Sequence, residues 1–199
     1  MSVRIATTTM GTMECISPPH NLLAAYSTDD NLRRAVELAQ AAGESGSQLF
    51  VLPQTFRLSG LPYSGYPRHA ELLNDGPSAK CLRDVAKKYS MIIVYGVMID
   101  NAGTIQNGGA IMDTTGVVAG VYCKRHPTPG EIDNGVTAGS IDSRKENPMV
   151  FQVALPQRDT CSYSSVRIGV AICFDVNWPD MWHEMARVHQ AELIIWISA

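Results

Sequence analysis

The sequence predicts an α/β fold with mixed sheets. Short apolar runs rich in Val, Ile and Leu alternate with stretches of helical periodicity, as is typical of layered α/β proteins. Hairpin signals such as Thr114-Thr115-Gly116 stand beside longer crossover units, so both parallel and antiparallel strands are expected. With 199 residues, 45% of them hydrophobic, the chain can bury one sizeable core, and we expect a single domain over residues 1–199.

Caps and breakers bound the elements of the first half. Thr28 and the two aspartates after it favour a helix start, and Gly43 stands near its end. Pro53 ends a buried apolar strand, and Pro77 opens a second helix at its first position. The predicted elements are strand 3–8, helix 28–44, strand 49–52, an overhanging Gly-, Pro- and Tyr-rich loop 57–75, and helix 77–89.

Strands dominate the second half, because β-branched apolar runs are separated there by turn residues. A long polar stretch, 127–147, predicts a loop. The predicted elements are strands 91–97, 109–113, 117–123, 149–155 and 166–172, an amphipathic stretch beginning at Trp178-Pro179, and a last strand near the end of the sequence.

Composition excludes several classes of function. The net charge of −3 and the lack of long Lys/Arg runs argue against nucleic-acid binding. The five cysteines are odd in number and form no Cys-x-x-Cys pair, so neither a disulfide framework nor a metal site is expected, and a cytoplasmic location is predicted. No apolar window is long enough to span a membrane. The phosphate-binding Gly-x-Gly-x-x-Gly and Gly-Lys-Ser/Thr patterns are absent, and we expect no cofactor.

Cys173 lies where the apolar run 166–172 turns toward an amphipathic stretch. A thiol at such a corner is held at the rim of the sheet, and a nearby helix N-terminus favours its thiolate, which is a nucleophile. The alternative is that Cys173 is a small buried hydrophobic residue, as most free cysteines are.

Two further motifs accompany the cysteine. Lys124 ends a predicted strand, and a Pro-Thr pair separates it from Glu131 in a Lys-x-x-Pro-Thr-x-x-Glu pattern. The run Leu49-Phe50-Val51-Leu52-Pro53 precedes Gln54. Together with the segment 169–175 around Cys173, these motifs resemble the nitrilase superfamily, the carbon-nitrogen hydrolases, and the lysine motif is most similar to that of the nitrilase branch. The resemblance covers nearly the whole chain in the order of the family.

The resemblance implies a four-layer αββα sandwich that acts on a small-molecule nitrile or amide and assembles as a dimer or larger homo-oligomer. Cys173 would attack the substrate carbon to give a thioimidate or thioester, which water hydrolyses. Lys124 would favour the thiolate and stabilise developing charge, and Glu131 would help to position the site. Taken singly, Lys124 and Glu131 could equally be solvated polar residues.

The sequence departs from the family pattern in two places. Where this sequence has Gln54, the family has a glutamate that acts as general base and takes the proton of the thiol. A neutral amide cannot accept that proton. Gln54 is therefore expected to lower turnover on the order of 100- to 10,000-fold or more, and Glu131 could replace the missing base in part. The sequence also ends near a strand, whereas family members usually continue, so we expect a sandwich that lacks its C-terminal portion.

Three aromatic residues are further candidates for the site. Trp178 follows Cys173 closely enough to line its pocket, although it could equally be a core anchor. Tyr63 and Tyr66 lie in the overhanging loop and could shape substrate entry. His126, His183 and His189 show no acid or metal partner in the sequence and are expected at the surface or in caps.

Three functional hypotheses follow. The first is a hydrolase of a nonpeptide carbon-nitrogen bond that Gln54 impairs. The second is a catalytically silent homologue that binds a small molecule or a subunit. The third is an ordinary α/β domain in which the motifs are coincidental.

Overall fold

The computed structural model describes residues 4–7, 27–140, 147–156 and 163–198. Helices separate the strands in the first half of the chain and strands dominate the second half, as the sequence pattern predicts. The strands are β1 (Ile5–Thr7), β2 (Leu49–Val51), β3 (Ile92–Asn101), β4 (Thr104–Met112), β5 (Val118–Cys123), β6 (Val150–Pro156), β7 (Tyr163–Ile172) and β8 (Leu193–Ile197). The helices are α1 (Thr28–Glu44), α2 (Pro77–Tyr89), α3 (Pro129–Asp133) and α4 (Pro179–His183), and α4 continues into one π-helical turn, Glu184–Val188.

The strands form two mixed sheets. The larger sheet has the order β1-β2-β3-β4-β5, parallel from β1 to β3 and antiparallel from β3 to β5. The smaller sheet has the order β6-β7-β8, in which β6 is antiparallel and β8 parallel to β7. The parallel strands β7 and β8 are joined through α4, as a parallel connection requires.

The layers follow from which side chains share a core. Leu32 of α1 and Leu82 of α2 pack with Phe50 and Ile93 on one face of the larger sheet. The opposite face of that sheet packs against the smaller sheet in a second core. Side chains alternate along a strand, so the residues that precede and follow Phe50 and Ile93 point to the second core.

The outer face of the smaller sheet is covered by α4 and the turn after it. Met181 and Met185 belong to the same core as that sheet. Gly169 of β7 lets Met185 approach, since a Cβ there would lie 3.0 Å from the Met185 Sδ. Helices thus lie outside both sheets.

The boundaries differ from the sequence prediction in ways that have local causes. Helix α1 is capped by the Ser27 hydroxyl, which accepts the Asp30 N–H, and not by Thr28. Two short 3₁₀ turns lie within the loop 57–75, and a third, Phe56–Leu58, begins just before it. The loop 127–147 contains α3, whose five residues are too few to show a periodicity. Strand β4 begins at Thr104 rather than at residue 109, because pairing with β3 continues through the glycines.

No helix in the described part of the chain is long and apolar enough to cross a membrane.

Candidate active site

Cys173 directly follows β7 and starts a short 3₁₀ turn, Cys173–Asn177. Its φ of 44° lies in the left-handed region, which is strained for a residue with a side chain and is found preferentially at functional sites. The Trp196 Nε1–H of β8 donates to the Cys173 carbonyl at 3.0 Å. The side chain is partly buried beside the core between the sheets.

Lys124 comes immediately after β5, and its side chain is only 1% exposed. The backbone holds it on both sides, because its N–H donates to Asn107 O at 2.7 Å and its carbonyl accepts the Gly139 N–H at 2.8 Å. Its Nζ lies 2.7 Å from the Glu131 Oε2. A buried ammonium at this position therefore has a carboxylate partner.

Glu131 is fixed by the capping box of α3. The Thr128 hydroxyl accepts the Glu131 N–H, and the Glu131 Oε2 accepts the Thr128 N–H at 2.7 Å. The Oε1 accepts from the Asn107 Nδ2 at 2.6 Å and from the Gln54 Nε2 at 3.4 Å. Four donors thus converge on one carboxylate.

These donors determine the pKa of Glu131. Burial alone would raise the pKa, because it disfavours the charged form. The hydrogen bonds from Lys124, the Thr128 N–H and Asn107, together with the positive charge of Lys124, outweigh burial and hold the pKa below its ordinary value of 4.5. Glu131 is therefore a carboxylate at neutral pH, and its charge keeps that of Lys124 compensated.

Gln54 reaches the cluster because the chain after β2 crosses tightly over β3. The crossing is possible at Gly96, where a Cβ would lie 2.6 Å from the Gln54 Cα and 2.7 Å from the Pro53 oxygen. The next residue, Thr55, has a φ of 46°. The side chain of Gln54 is buried, and the structure brings it together with Lys124 and Glu131.

Tyr63 and Tyr66 lie in the short turns of the overhanging segment, with ring centroids 5.1 Å apart. Partial burial raises the pKa of Tyr63, and the negative charge of Glu131 raises it further. Burial also raises the pKa of Tyr66, and a hydrogen bond with Thr55 opposes that shift. The Tyr63 side chain is half exposed.

Trp178 stacks on the His126 ring with centroids 3.7 Å apart and planes inclined by 7°, and it meets Phe174 edge-on at 5.2 Å. The expectation that His126 has no acid partner is wrong, because its Nδ1 lies 2.9 Å from the Asp175 Oδ1. The same expectation is wrong for His189, whose Nε2 lies 3.3 Å from the Glu184 Oε1. His183 is exposed, as expected.

The sequence did not identify two polar side chains of the site, those of Asn107 and Asp175. Asn107, on β4, donates to the Glu131 Oε1, and the Asn107-Gly108-Gly109 run within that strand was the available signal. Asp175 lies two residues after Cys173 and is fully buried, and a charged residue in an apolar segment was the available signal.

The other described thiols differ from Cys173. Cys123 precedes Lys124, and burial raises the pKa of its thiol to about 11, so it stays protonated at neutral pH. Cys81 is exposed on α2. The remaining cysteines, Cys15 and Cys161, lie outside the described residues. Within the described ranges, no group of three or more His, Cys, Asp or Glu side chains could hold a metal ion.

The chain is similar over most of its length to several curated proteins. The deaminated glutathione amidase of Yersinia enterocolitica is 27% identical over 178 residues, which cover 87% of this chain and 58% of the relative. Nitrilase homolog 2 of Dictyostelium discoideum is 26% identical over 166 residues, covering 80% of this chain and 47% of the relative. The chain thus spans about half the length of the curated relatives it matches.

Among solved structures, the amidase from Nesterenkonia sp. AN1 has a similar fold. One match is a glutamate-to-glutamine variant of that amidase, which shows the result of Michael addition of acrylamide at the active-site cysteine. Its TM-score is 0.66 and its sequence identity is 20%, over 86% of this chain and 61% of the amidase chain. A second match is a glutamate-to-leucine variant, which carries the acetamide moiety of fluoroacetamide on the active-site cysteine. Its TM-score is 0.65 and its sequence identity is 19%, over 86% of this chain and 59% of the amidase chain. These matches confirm the αββα sandwich.

The family model for carbon-nitrogen hydrolases matches residues 6–198, which is nearly the whole chain. Together with the two packed sheets and the three motifs, this match shows that the chain belongs to the carbon-nitrogen hydrolase family, within the nitrilase superfamily.

Proposed function

We propose that Cys173 reacts covalently with the carbonyl carbon of a small-molecule amide, and that Gln54 makes the release of the acyl group slow. One observation carries the proposal: the buried Lys124–Glu131 pair is assembled, with a 2.7 Å contact, next to a glutamine where the family has its general base. Amides are favoured over nitriles because a curated relative and the Nesterenkonia protein are both named as amidases.

In the first half-reaction, a bond forms between the Cys173 Sγ and the amide carbon while the carbon–nitrogen bond breaks. The thiol proton leaves with the amine or ammonia, so the products are a thioester and a neutral nitrogen compound. The positive charge of Lys124 stabilises negative charge on the substrate oxygen, and its effect is strong because the ammonium is 1% exposed.

The second half-reaction needs a base. Water attacks the thioester, the sulfur–carbon bond breaks, and the water's proton must be accepted. Gln54 has no proton-accepting group in the useful range. Glu131 is an unsuitable substitute, because hydrogen bonds from Lys124 and Thr128 lower its pKa and because its oxygens already accept from four donors.

The competing hypothesis, a silent homologue that binds a small molecule, is favoured by the same glutamine. Its amide completes the hydrogen-bonded cluster around Glu131 without supplying a base. The two hypotheses differ in whether Cys173 forms a covalent adduct at all.

The test is intact-mass analysis after incubation with fluoroacetamide and with acrylamide, followed by peptide mapping. We expect one adduct on Cys173 in the parent protein and none at that site in Cys173→Ala. The Nesterenkonia variants support this expectation, because their active-site cysteine carries such adducts when a glutamate is replaced. An unmodified Cys173 after prolonged incubation would refute covalent chemistry and favour the silent homologue.

A second arm addresses Gln54. Gln54→Glu restores a carboxylate, and we expect ammonia release from small aliphatic amides to rise on the order of 100- to 10,000-fold, the typical contribution of a general base. Gln54→Asn is the matched control, since it changes the side chain without adding a base. Equal ammonia release by all three proteins would refute the role given to Gln54. A homo-oligomeric assembly, a dimer or larger, remains part of the proposal.

A further inference from the structure

Asp175 is a fully buried carboxylate that the reaction scheme does not use. Its Oδ2 accepts from the Tyr122 hydroxyl at 2.8 Å and from the Ile172 N–H at 3.1 Å. Its Oδ1 accepts from the His126 N–H at 3.2 Å and contacts the His126 Nδ1 at 2.9 Å. Since a carboxylate only accepts hydrogen bonds, the His126 Nδ1 is the donor in that contact.

These contacts join the two sheets at the candidate site. Tyr122 and His126 flank Lys124 at the end of β5, in the larger sheet. Ile172 and Asp175 flank Cys173 at the end of β7, in the smaller sheet. The carboxylate is therefore a bridge between the segment that carries the lysine and the segment that carries the thiol.

His126 adds a second connection through its ring. It stacks on Trp178, which follows the Cys173 turn and makes edge contact with Phe174 inside that turn. One face of the imidazole thus packs on Trp178 at the end of the turn. The Nδ1–H of the same ring binds Asp175 in the middle of the turn. The ring is only 22% exposed, so packing restricts its orientation.

We propose that His126 is a positioning residue, which fixes the Cys173 turn relative to Lys124 through its Nδ1–H bond to Asp175. The inference rests on the proposed covalent chemistry of Cys173 for its catalytic consequence, but the positioning itself can be measured separately. Small misplacement of a reacting group is sufficient to slow a reaction by one to two orders of magnitude.

Three substitutions separate the hydrogen bond from the stack. Asparagine carries its side-chain N–H one bond beyond Cγ, where histidine has Nδ1, so His126→Asn keeps the donor and loses the ring. His126→Gln has the same amide group placed one bond too far. His126→Phe keeps a ring against Trp178 and removes the donor.

Two measurements are made on the parent and on each variant. Hydrogen exchange reports the opening of the Cys173–Asn177 turn and of the Ile172 N–H that donates to Asp175, with α2 as an internal reference for global stability. The rate of labelling by fluoroacetamide, in which the thiol sulfur displaces fluoride and the thiol proton passes to solvent, reports the placement of Cys173.

For His126→Gln and His126→Phe we expect exchange in the turn to accelerate about tenfold or more, and labelling of Cys173 to slow by about tenfold, at unchanged α2 exchange. His126→Asn is expected within threefold of the parent in both measurements. Turn exchange at the parental rate in all variants would overturn the proposal, as would rescue by phenylalanine and not by asparagine, because the stack alone would then hold the turn. Absence of labelling in the parent would refute the proposed covalent function, while hydrogen exchange would still decide the role of His126.

Discussion

Replacing Glu131 by glutamine should be one of the most destabilising isosteric changes available in this chain. The carboxylate is the partner of Lys124, and both side chains are almost completely buried, at 2% and 1% exposure. A glutamine offers one acceptor oxygen in place of two, so two of the four converging donors would face an NH₂ group. The ammonium of Lys124 would also lose its counter-charge.

Removing one partner of a buried ion pair costs about 3–5 kcal/mol. With a urea m-value of about 2 kcal/mol/M, the unfolding midpoint of Glu131→Gln should fall by about 2 M. The assay is equilibrium urea unfolding followed by far-UV circular dichroism. Lys124→Met in the same chain removes the unpaired charge, so the double variant should recover part of the loss.

The matched control is Glu37→Gln. Glu37 pairs with Arg33 at 2.8 Å on the exposed face of α1, and both side chains are more than half exposed. Solvent screens such a pair, so the midpoint should not move measurably. A loss below about 1 kcal/mol for Glu131→Gln would refute the reasoning, since the buried pair would then contribute no more than a surface pair does.

Three further predictions follow from the same geometry. The pKa of Glu131 lies below its ordinary value of 4.5, so the contribution of its charged form to stability is complete above about pH 4.5 and is lost as the pH falls through the lowered pKa. The melting temperature of the parent protein should therefore drop more steeply in acid than that of Glu131→Gln. Gly96→Ala would place a methyl group 2.6 Å from the Gln54 Cα, so it should cost about 1–3 kcal/mol in urea unfolding and slow the labelling of Cys173, whereas a parental unfolding curve would contradict the tight crossing. Iodoacetamide at neutral pH should modify Cys173 in the folded protein and leave Cys123 largely unmodified until urea is added, because Cys123 is partly buried and its thiol has a pKa of about 11. Equal rates for the two thiols in the folded state, read by peptide mass, would contradict an assembled site.

The sequence predicted the mixed α/β fold because caps, prolines and β-branched runs act locally. Helix α2 has the bounds that Pro77 and the apolar periodicity predict. The motifs at Lys124 and Cys173 were visible for the same reason, since each is a short pattern at the end of a strand.

The partners of these residues were not visible, because they depend on chain segments far apart in sequence. The Asp175–Tyr122 contact spans 53 positions and the Gln54–Glu131 contact spans 77. Helix α3 was missed for a different reason. Its five residues hold no periodicity, and the Thr128-Pro129-x-Glu131 capping box was its only local signal.

The two sheets contribute different parts of the candidate site: Gln54 and Lys124 follow strands of the larger sheet, and Cys173 follows a strand of the smaller one. Neither sheet alone can hold the arrangement, so it exists only while their inner faces are docked. In an expanded, molten-globule-like state, secondary structure persists while fixed side-chain packing is lost. Selective chemistry at Cys173 would then disappear together with the near-UV signal of the aromatic side chains, before the far-UV signal of the strands and helices changes. The thiol is thus an internal reporter of inter-sheet docking, independent of any turnover that the protein performs.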